Sequence, residues 1–176
     1  QFNALVTSDQ EYKQCQYKAK QMQESVNTLD NCLQQLVQSG NATYIQNYVT
    51  EVESQRRENL VKDIDTTTEE KYLKKAADAS IALKSTDYHI IRLVVKAKDI
   101  TDSVVPEEIR QMALSTQEQS MKSEQLIALA RSILYSNDYQ NKKTRINSDI
   151  NEYLNRVLNR ENAKLEANEN DLKMGI

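Results

Sequence analysis

The sequence is poor in the residues that turns and sheets require. It has 2 glycines, 1 proline and no tryptophan among 176 residues. Because tight turns rely on Gly and Pro, this scarcity argues against a fold rich in β-hairpins. Apolar residues make up 39% and charged residues 28% of the chain, a balance typical of a globular domain. We predict one nearly all-helical domain over residues 1–176.

Several kinds of chemistry lack the residues they need. With 1 histidine no paired-histidine metal site can form, and with 2 glycines no Gly-rich phosphate loop is present. The formal charge is −3 and the basic residues are dispersed, so the chain has no cluster of basic residues that would bind nucleic acid. No apolar run approaches the roughly 20 residues of a membrane span. We expect a non-enzymatic chain with no catalytic residue, metal, cofactor or nucleic-acid partner.

The two cysteines cannot bond to each other if they lie in one helix. Cys15 and Cys32 are 17 residues apart in the first predicted helix, which corresponds to about 25 Å of rise. A disulfide needs α-carbons within about 7 Å. We predict two ordinary thiols, with a bridge between two chains as the alternative.

The first predicted helix has the longest apolar seam. A capping box of Ser8 and Glu11 opens it and Gly40 closes it. Alternating spacings of three and four residues between apolar positions are typical of a coiled-coil seam. The seam consists of Tyr12, Cys15, Ala19, Met22, Val26, Leu29, Leu33 and Leu36.

Three more helices are predicted before Pro106. One covers 43–64, and another begins through a capping box at Thr66 or Thr67 and continues to 83. The helix over 85–100 either continues from it or begins again at Ser85. A wide apolar arc marks this as the most buried helix. The arc consists of Tyr88, Ile90, Ile91, Leu93, Val94, Val95 and Ala97.

Pro106 suits the first turn of a further helix that we predict to run to about Tyr135. Small and hydroxylated residues occupy its middle, which favours close helix packing or a polar pocket; they include Thr116, Ser120 and Ser123. The last helix starts near Tyr139 and ends in a thin leucine heptad of Leu158, Leu165 and Leu172. The predicted fold is an all-α, elongated, up-and-down antiparallel bundle of four to six helices, with the first and last longest.

Three stretches carry a resemblance to a known family. "YIQNYVTEVESQRREN" (44–59), "STDYHIIRLVVKA" (85–97) and the segment 105–146 resemble the extracytoplasmic helical-bundle sensor regions of bacterial transmembrane receptors. The form in question precedes chemotaxis-receptor, histidine-kinase or diguanylate-cyclase modules in Gram-positive anaerobes. The resemblance implies an excised sensor domain on the extracytoplasmic side of the cell membrane, with membrane spans on both flanks.

That resemblance assigns the terminal leucines a role in a stalk. The last helix would leave the bundle towards the bilayer and pair through its leucines with the start of the first helix, or with a second chain in a homodimer. A frayed, exposed terminus explains its polarity equally well. The partners implied are a small-molecule ligand, including a carboxylate, or a ligand-binding protein.

Polar residues at otherwise apolar positions are the candidate ligand-binding residues. Arg56 and Arg57 interrupt one apolar stripe, whereas Tyr88, His89 and Arg92 cluster on the most apolar helix. Arginines aimed inward clamp a carboxylate through two hydrogen bonds. The alternative is that the arginines reach the surface or pair with nearby acids. The sequence selects neither the ligand nor the output module.

Two other functions remain open alongside the receptor sensor. A secreted helical binding protein predicts a signal peptide upstream. A cytosolic coiled-coil scaffold predicts no membrane span, and a partner helix seated on the leucine seam. All three functions are non-enzymatic.

Overall fold

The structure, a computed structural model, describes the backbone of residues 2–175 and the side chains of residues 9–175. Over this range the chain is all-α, without a β-strand. Six helices have 12 or more residues and three have 4 or 5. The helices are α1 (Phe2–Ser39), α2 (Ala42–Glu53), α3 (Arg56–Leu60), α4 (Glu70–Ala82), α5 (Lys84–Ala97), α6 (Glu107–Arg110), α7 (Thr116–Gln119), α8 (Ser123–Leu134) and α9 (Asn137–Lys173). The predicted helical bundle with long first and last helices is confirmed.

Ion pairs between distant residues give the direction of the long helices. Lys143 Nζ lies 2.5 Å from Asp30 Oδ1, and Lys164 Nζ lies 3.2 Å from Glu11 Oε2. Residue numbers therefore rise along α9 as they fall along α1. The two longest helices are antiparallel neighbours.

The remaining helices complete four columns. α2 packs on α1, α4 packs on α9, and α5 packs on α8. Leu83 is the one residue between the end of α4 and the start of α5, so α4 and α5 form one column. α8 and α9 form the column antiparallel to it. The columns are α1, α2 with α3, α4 with α5, and α8 with α9.

One hydrophobic cluster fills the space between the columns. The predicted α1 seam is buried from Ala19 to Leu36, while Tyr12 and Cys15 are half-buried at its edge. Every residue of the predicted α5 arc is buried, which confirms α5 as the most buried helix. The largest fully buried side chains are Tyr48, Tyr153, Met22, Leu33, Leu36, Ile45, Leu73, Ile90, Ile91, Leu93, Ile109 and Leu126.

Gly40 ends α1 as predicted. Its φ is +66°, a left-handed conformation that glycine adopts without steric cost, and its N–H donates to Leu36 O at 2.7 Å. Asn41 then caps α2 by accepting a hydrogen bond from the Thr43 N–H at 2.9 Å. This turn lies beside Lys98, so the C-terminal ends of α1 and α5 are close together.

Three predicted helix boundaries are wrong. α1 begins at Phe2, so Ser8 lies within the helix and does not open it; its side chain lies outside the described residues. The helix predicted over 43–64 breaks after Glu53, because Gln55 takes a φ of +55°. α4 starts at Glu70 without a side-chain cap, since the turn before it is closed by hydrogen bonds to Asp65.

The single helix predicted from Pro106 to Tyr135 is also wrong. Pro106 precedes the four-residue α6, and a capping box of Ser115 and Glu118 then opens α7. A new helix start in the middle of the segment prevents one continuous helix. The hydroxylated residues expected to pack inside or to line a pocket are exposed instead, namely Thr116, Ser120 and Ser123.

α1 and α9 continue past the base of the four columns. Lys18 and Arg160 lie level with the start of α4, where they contact Glu70 (3.7 Å) and Glu69 (2.6 Å). Beyond that level only α1 and α9 go on among the described residues. We call α1 residues 2–14 with α9 residues 161–173 the stalk.

The terminal leucines lie on a partly exposed face of α9. Leu158, Leu165 and Leu172 are 39%, 38% and 53% exposed, and the stalk contact with α1 that the structure describes is the ion pair of Lys164 with Glu11. The predicted pairing of these leucines falls on the start of the first helix, where the side chains up to residue 8 lie outside the described residues. That pairing stays a prediction.

Candidate functional site

Arg56 binds a carboxylate of the chain itself. Its Nε and Nη2 donate to the two oxygens of Glu51 at 3.2 and 2.6 Å, and its Nη1 donates to Gln21 Oε1 at 3.0 Å. The buried Ser25 hydroxyl also donates to Glu51. The hydrogen bonds with Glu51 raise the pKa of Arg56. An external carboxylate at Arg56 must compete with Glu51.

Arg57 is buried and has no acid partner within ion-pair distance. Its residue is 6% exposed, and its Nη1 donates to Ser80 Oγ at 2.8 Å. Among the described residues no carboxylate oxygen lies within 4.0 Å of this guanidinium. The guanidinium of Arg57 therefore keeps N–H donors that no acid of the described residues binds.

Asp87 is the acidic centre of the bundle. The residue is 4% exposed, and it accepts hydrogen bonds from the Tyr48 hydroxyl (2.5 Å) and the Tyr139 hydroxyl (2.7 Å). Burial raises the pKa of Asp87 to about 6, although the two tyrosine hydrogen bonds and the charge of Arg57 act to lower it. Burial and the neighbouring Asp87 raise the pKa values of Tyr48 and Tyr139.

Tyr88 extends this cluster. Its ring lies edge-on to that of Tyr48, with centroids 6.2 Å apart and planes at 64°, a favourable aromatic geometry. The Lys84 ammonium lies 5.1 Å from the ring centroid of Tyr88. Burial raises the pKa of Tyr88. Two predicted residues, Arg57 and Tyr88, therefore lie beside Asp87.

His89 and Arg92 lie on another face of α5. His89 Nε2 is 2.6 Å from Glu118 Oε2, and Arg92 Nε donates to Met112 O at 3.1 Å. Lys96, one helical turn further, donates to the Gln119 carbonyl at 2.9 Å. These three side chains fasten the segment that carries α6 and α7 onto α5.

Glu118 links that segment to α5 and to its own helix start. The backbone N–H of Ser115 and the His89 ring lower the pKa of the Glu118 carboxyl, in that order of size. The same carboxyl closes the α7 capping box. His89 thus faces an acid that already caps a helix, and the predicted residues fall in three separate places: at Arg56, at Arg57 with Tyr88, and at His89 with Arg92.

Sequence reasoning missed Tyr48 and Asp87. A signal was present, because Asp87 directly precedes Tyr88 in the apolar arc of α5 and Tyr48 follows the buried Ile45 at helical spacing. An acid on an apolar helix face predicts a buried polar contact. The partner residues could not be named, since they lie 39 and 52 residues away.

Among the predicted residues, Arg56 lines a surface groove of about 320 Å³ together with Glu51 and Ser54. A groove of about 680 Å³ runs between α1 and α9, with an apolar floor that includes Tyr12, Ile150, Leu154 and Leu158. Another, of about 460 Å³, lies at the top around Gly40. Within the described side chains, no three or more His, Cys, Asp or Glu residues are grouped so as to hold a metal ion.

The comparisons with known proteins provide no relative: no protein-family model, curated protein or solved structure matches this chain. The resemblance to receptor sensor regions therefore stays a prediction. In residues 2–175 we find no helix whose length and hydropathy together suit a membrane span.

Proposed function

We propose that the chain is the ligand-sensing extracytoplasmic domain of a membrane-bound receptor, which passes a helix displacement to a cytoplasmic output module. The observation that carries the proposal is the stalk. α1 and α9 leave the same end of the bundle side by side, in contact at Glu11 and Lys164. A domain between two membrane spans needs both of its ends on one side.

α9 supports this proposal because it connects the buried cluster to the stalk. Its third residue, Tyr139, contacts Asp87, and the helix then continues without a break to Lys173. Its 37 residues correspond to about 55 Å. A shift or tilt of the first turn of α9 is therefore delivered to the far end of the stalk.

The ligand we propose is a small molecule that carries a carboxylate, recognised by Arg57 with Tyr88 beside it. The support is the buried guanidinium of Arg57, which lacks an acid partner among the described residues. Binding acts by population shift, since a carboxylate that binds one packing of the helices more tightly makes that packing predominate. A ligand-binding protein in place of a free ligand uses the same helix displacement.

The first experiment is to sequence about 40 codons of the gene on each side of this chain. Apolar segments of about 20 residues on both flanks support a membrane-anchored sensor. A single upstream signal peptide, or no apolar flank, refutes it.

The second experiment tests the carboxylate. A panel of small mono- and dicarboxylates is screened for a rise in melting temperature of the wild type, of Arg57→Gln and of Arg156→Gln. Arg156 is exposed and paired with Glu152, so its substitution is the matched loss of a guanidinium. A ligand at 100 times its Kd stabilises by about 2.7 kcal/mol, a shift easily measured. We expect the shift in the wild type and in Arg156→Gln only; an equal shift in Arg57→Gln places the ligand elsewhere.

A second candidate function is a secreted or cytosolic helical binding or scaffold protein without membrane spans. The observation in its favour is the exposed leucine stripe of Leu158, Leu165 and Leu172, which continues from the apolar groove between α1 and α9. Such a stripe suits a partner helix or a second copy of this chain. Flanks without apolar segments, together with a stable homodimer in light scattering, favour this candidate.

A further inference from the structure

Asp87 joins three helices at the height where two columns of the bundle are interrupted. It lies four residues after Leu83, where α4 gives way to α5, and its backbone N–H donates a hydrogen bond to Leu83 O. Tyr139 lies three residues after Ser136, where α9 begins. Tyr48 adds α2 as the third helix. One carboxyl group therefore links α2, α5 and α9 beside both interruptions.

The hydrogen bonds at Asp87 depend on its protonation state. An ionised carboxylate only accepts, so each of the two tyrosine hydroxyls donates to one of its oxygens. A neutral acid has an O–H that must itself donate. The tyrosine that accepts this bond must turn its own hydrogen towards another acceptor. Proton uptake therefore reverses one of the two tyrosine hydrogen bonds.

Charged and titratable groups face Asp87 from several helices. α1 contributes Asp30, whose carboxylate is paired with Lys143 of α9 at 2.5 Å. α3 contributes Arg57, which hydrogen-bonds Ser80 of α4. α5 itself adds Tyr88, next to Asp87 in the chain. The face of α8 packed in the core is apolar, with Leu126, Ala130 and Leu134, and its Glu124 and Arg131 are exposed.

No cation contacts Asp87 directly among the described residues. Arg57 acts on Asp87 through space, while the Arg57 guanidinium donates its hydrogen bond to Ser80. The two tyrosine hydroxyls thus provide the side-chain stabilisation of the ionised form. Burial opposes them, so the protonated and ionised forms are close in free energy in mildly acidic solution.

We propose that Asp87 is a proton-binding site at which proton uptake reverses the Tyr139 hydrogen bond and loosens the first turn of α9 from α5. The Tyr139 bond is the one that reverses, because Tyr139 lies in the first turn of α9, beside the interruption at Ser136, whereas Tyr48 lies within α2. The reversed bond joins two neutral groups and is weaker than the charge-assisted bond it replaces, so the hold of α5 on the first turn of α9 weakens. The inference concerns the chain itself, and it holds whether or not Arg57 binds a carboxylate.

NMR on the full chain tests the proposal. The carboxyl ¹³C shift of Asp87 and the backbone amide shifts of residues 137–141 are followed from about pH 4 to pH 8. The expected midpoint is about 6, where burial places the pKa of Asp87. We expect the α9 amides to titrate with the same midpoint. A carboxyl midpoint below about pH 5, or α9 amides that do not follow the carboxyl, overturns the proposal.

Variants test whether the α9 titration comes from Asp87 or from the one histidine of the chain, since imidazoles as a class titrate in this pH range. Asp87→Asn should abolish the α9 titration, whereas His89→Gln and the exposed-site control Asp78→Asn should keep it. An α9 titration that survives in Asp87→Asn, or disappears in His89→Gln, overturns the proposal. If Asp87→Asn does not fold, the midpoints of the carboxyl and α9 amide titrations in the wild type still confirm or overturn the proposal.

Tyr139→Phe adds a readout that a purely structural role does not move. Because the Tyr139 hydroxyl stabilises the ionised form of Asp87, its removal should raise the carboxyl midpoint. Tyr48→Phe should raise it as well, while the α9 amides still respond. An unchanged midpoint in both variants overturns the proposal.

Discussion

Replacing Leu33 with alanine should destabilise the protein strongly, whereas the same replacement at Leu165 should barely matter. Leu33 lies in α1 within the core and is 1% exposed; Leu165 lies in the stalk and is 38% exposed. Both positions are inside long helices, so the gain in helix propensity from Leu to Ala is the same. The difference between the two variants therefore measures packing alone.

The magnitude follows from burial. Leu33→Ala removes a fully packed side chain and leaves a cavity, which costs about 3 kcal/mol within a usual range of about 2–5. For a domain of this size that lowers the melting temperature by about 6–12 °C. Leu165→Ala removes a partly exposed side chain outside the core, so we expect a change within about 0.5 kcal/mol.

Urea unfolding followed by far-UV circular dichroism measures both variants, at about 1 and 100 μM protein. A loss above about 1.5 kcal/mol for Leu165→Ala at both concentrations refutes the exposure of Leu165 in the single chain. A loss that appears only at the higher concentration indicates that a second chain covers Leu165, as in a homodimer through the terminal helices.

Three further predictions follow from the same structure. Gly40→Ala should cost about 1 kcal/mol in urea unfolding, because alanine is strained at a φ of +66°, whereas Gly175→Ala, at a φ of +72° with nothing within 4 Å, should cost less at the frayed end of α9. Glu118→Gln should speed hydrogen exchange in residues 112–121 and leave α1 unchanged, because it weakens the contact with the His89 ring. Because the pKa of Asp87 is raised in the folded state, proton binding stabilises the fold at low pH, and this stabilisation is lost as pH rises from about 4 to about 6. The stability of the wild type relative to Asp87→Asn should therefore fall by about 3 kcal/mol over that window, and a rise in this relative stability with pH contradicts the prediction.

The helices and the core were largely predictable from the sequence. The α1 seam and the α5 arc are recognisable because apolar residues repeat with the helical period wherever a helix faces the core. Gly40 was predictable as a helix end because few residues adopt a positive φ without strain. These features are local, so one sequence is sufficient to read them.

The interruptions between helices were harder to predict. Helical periodicity continues through 106–135, although the segment folds as three short or medium helices. The signal that competes with periodicity was present as Ser115 followed by Glu118, the capping-box spacing that opens α7. Gln55 gave no comparable signal, because a glutamine rarely takes the positive φ that breaks the second helix.

The candidate site was predictable only in part. Arg57 and Tyr88 stood out as polar groups near apolar positions, and both lie in the buried cluster. The acid at its centre, Asp87, was missed, since its burial depends on tyrosines from distant parts of the chain. The role of Leu165 stays a prediction, because a regular heptad shows that residues share one face and does not show what covers that face.

The polar contact between the two stalk helices makes that part of the molecule sensitive to ionic strength. Glu11 and Lys164 are 49% and 42% exposed at their side chains, so water and ions reach the pair. At about 0.15 M salt the Debye length is about 8 Å, and an exposed pair contributes at most about 1 kcal/mol. This contact between the stalk helices can therefore open at little cost, while the apolar core above it, which salt does not screen, keeps its packing.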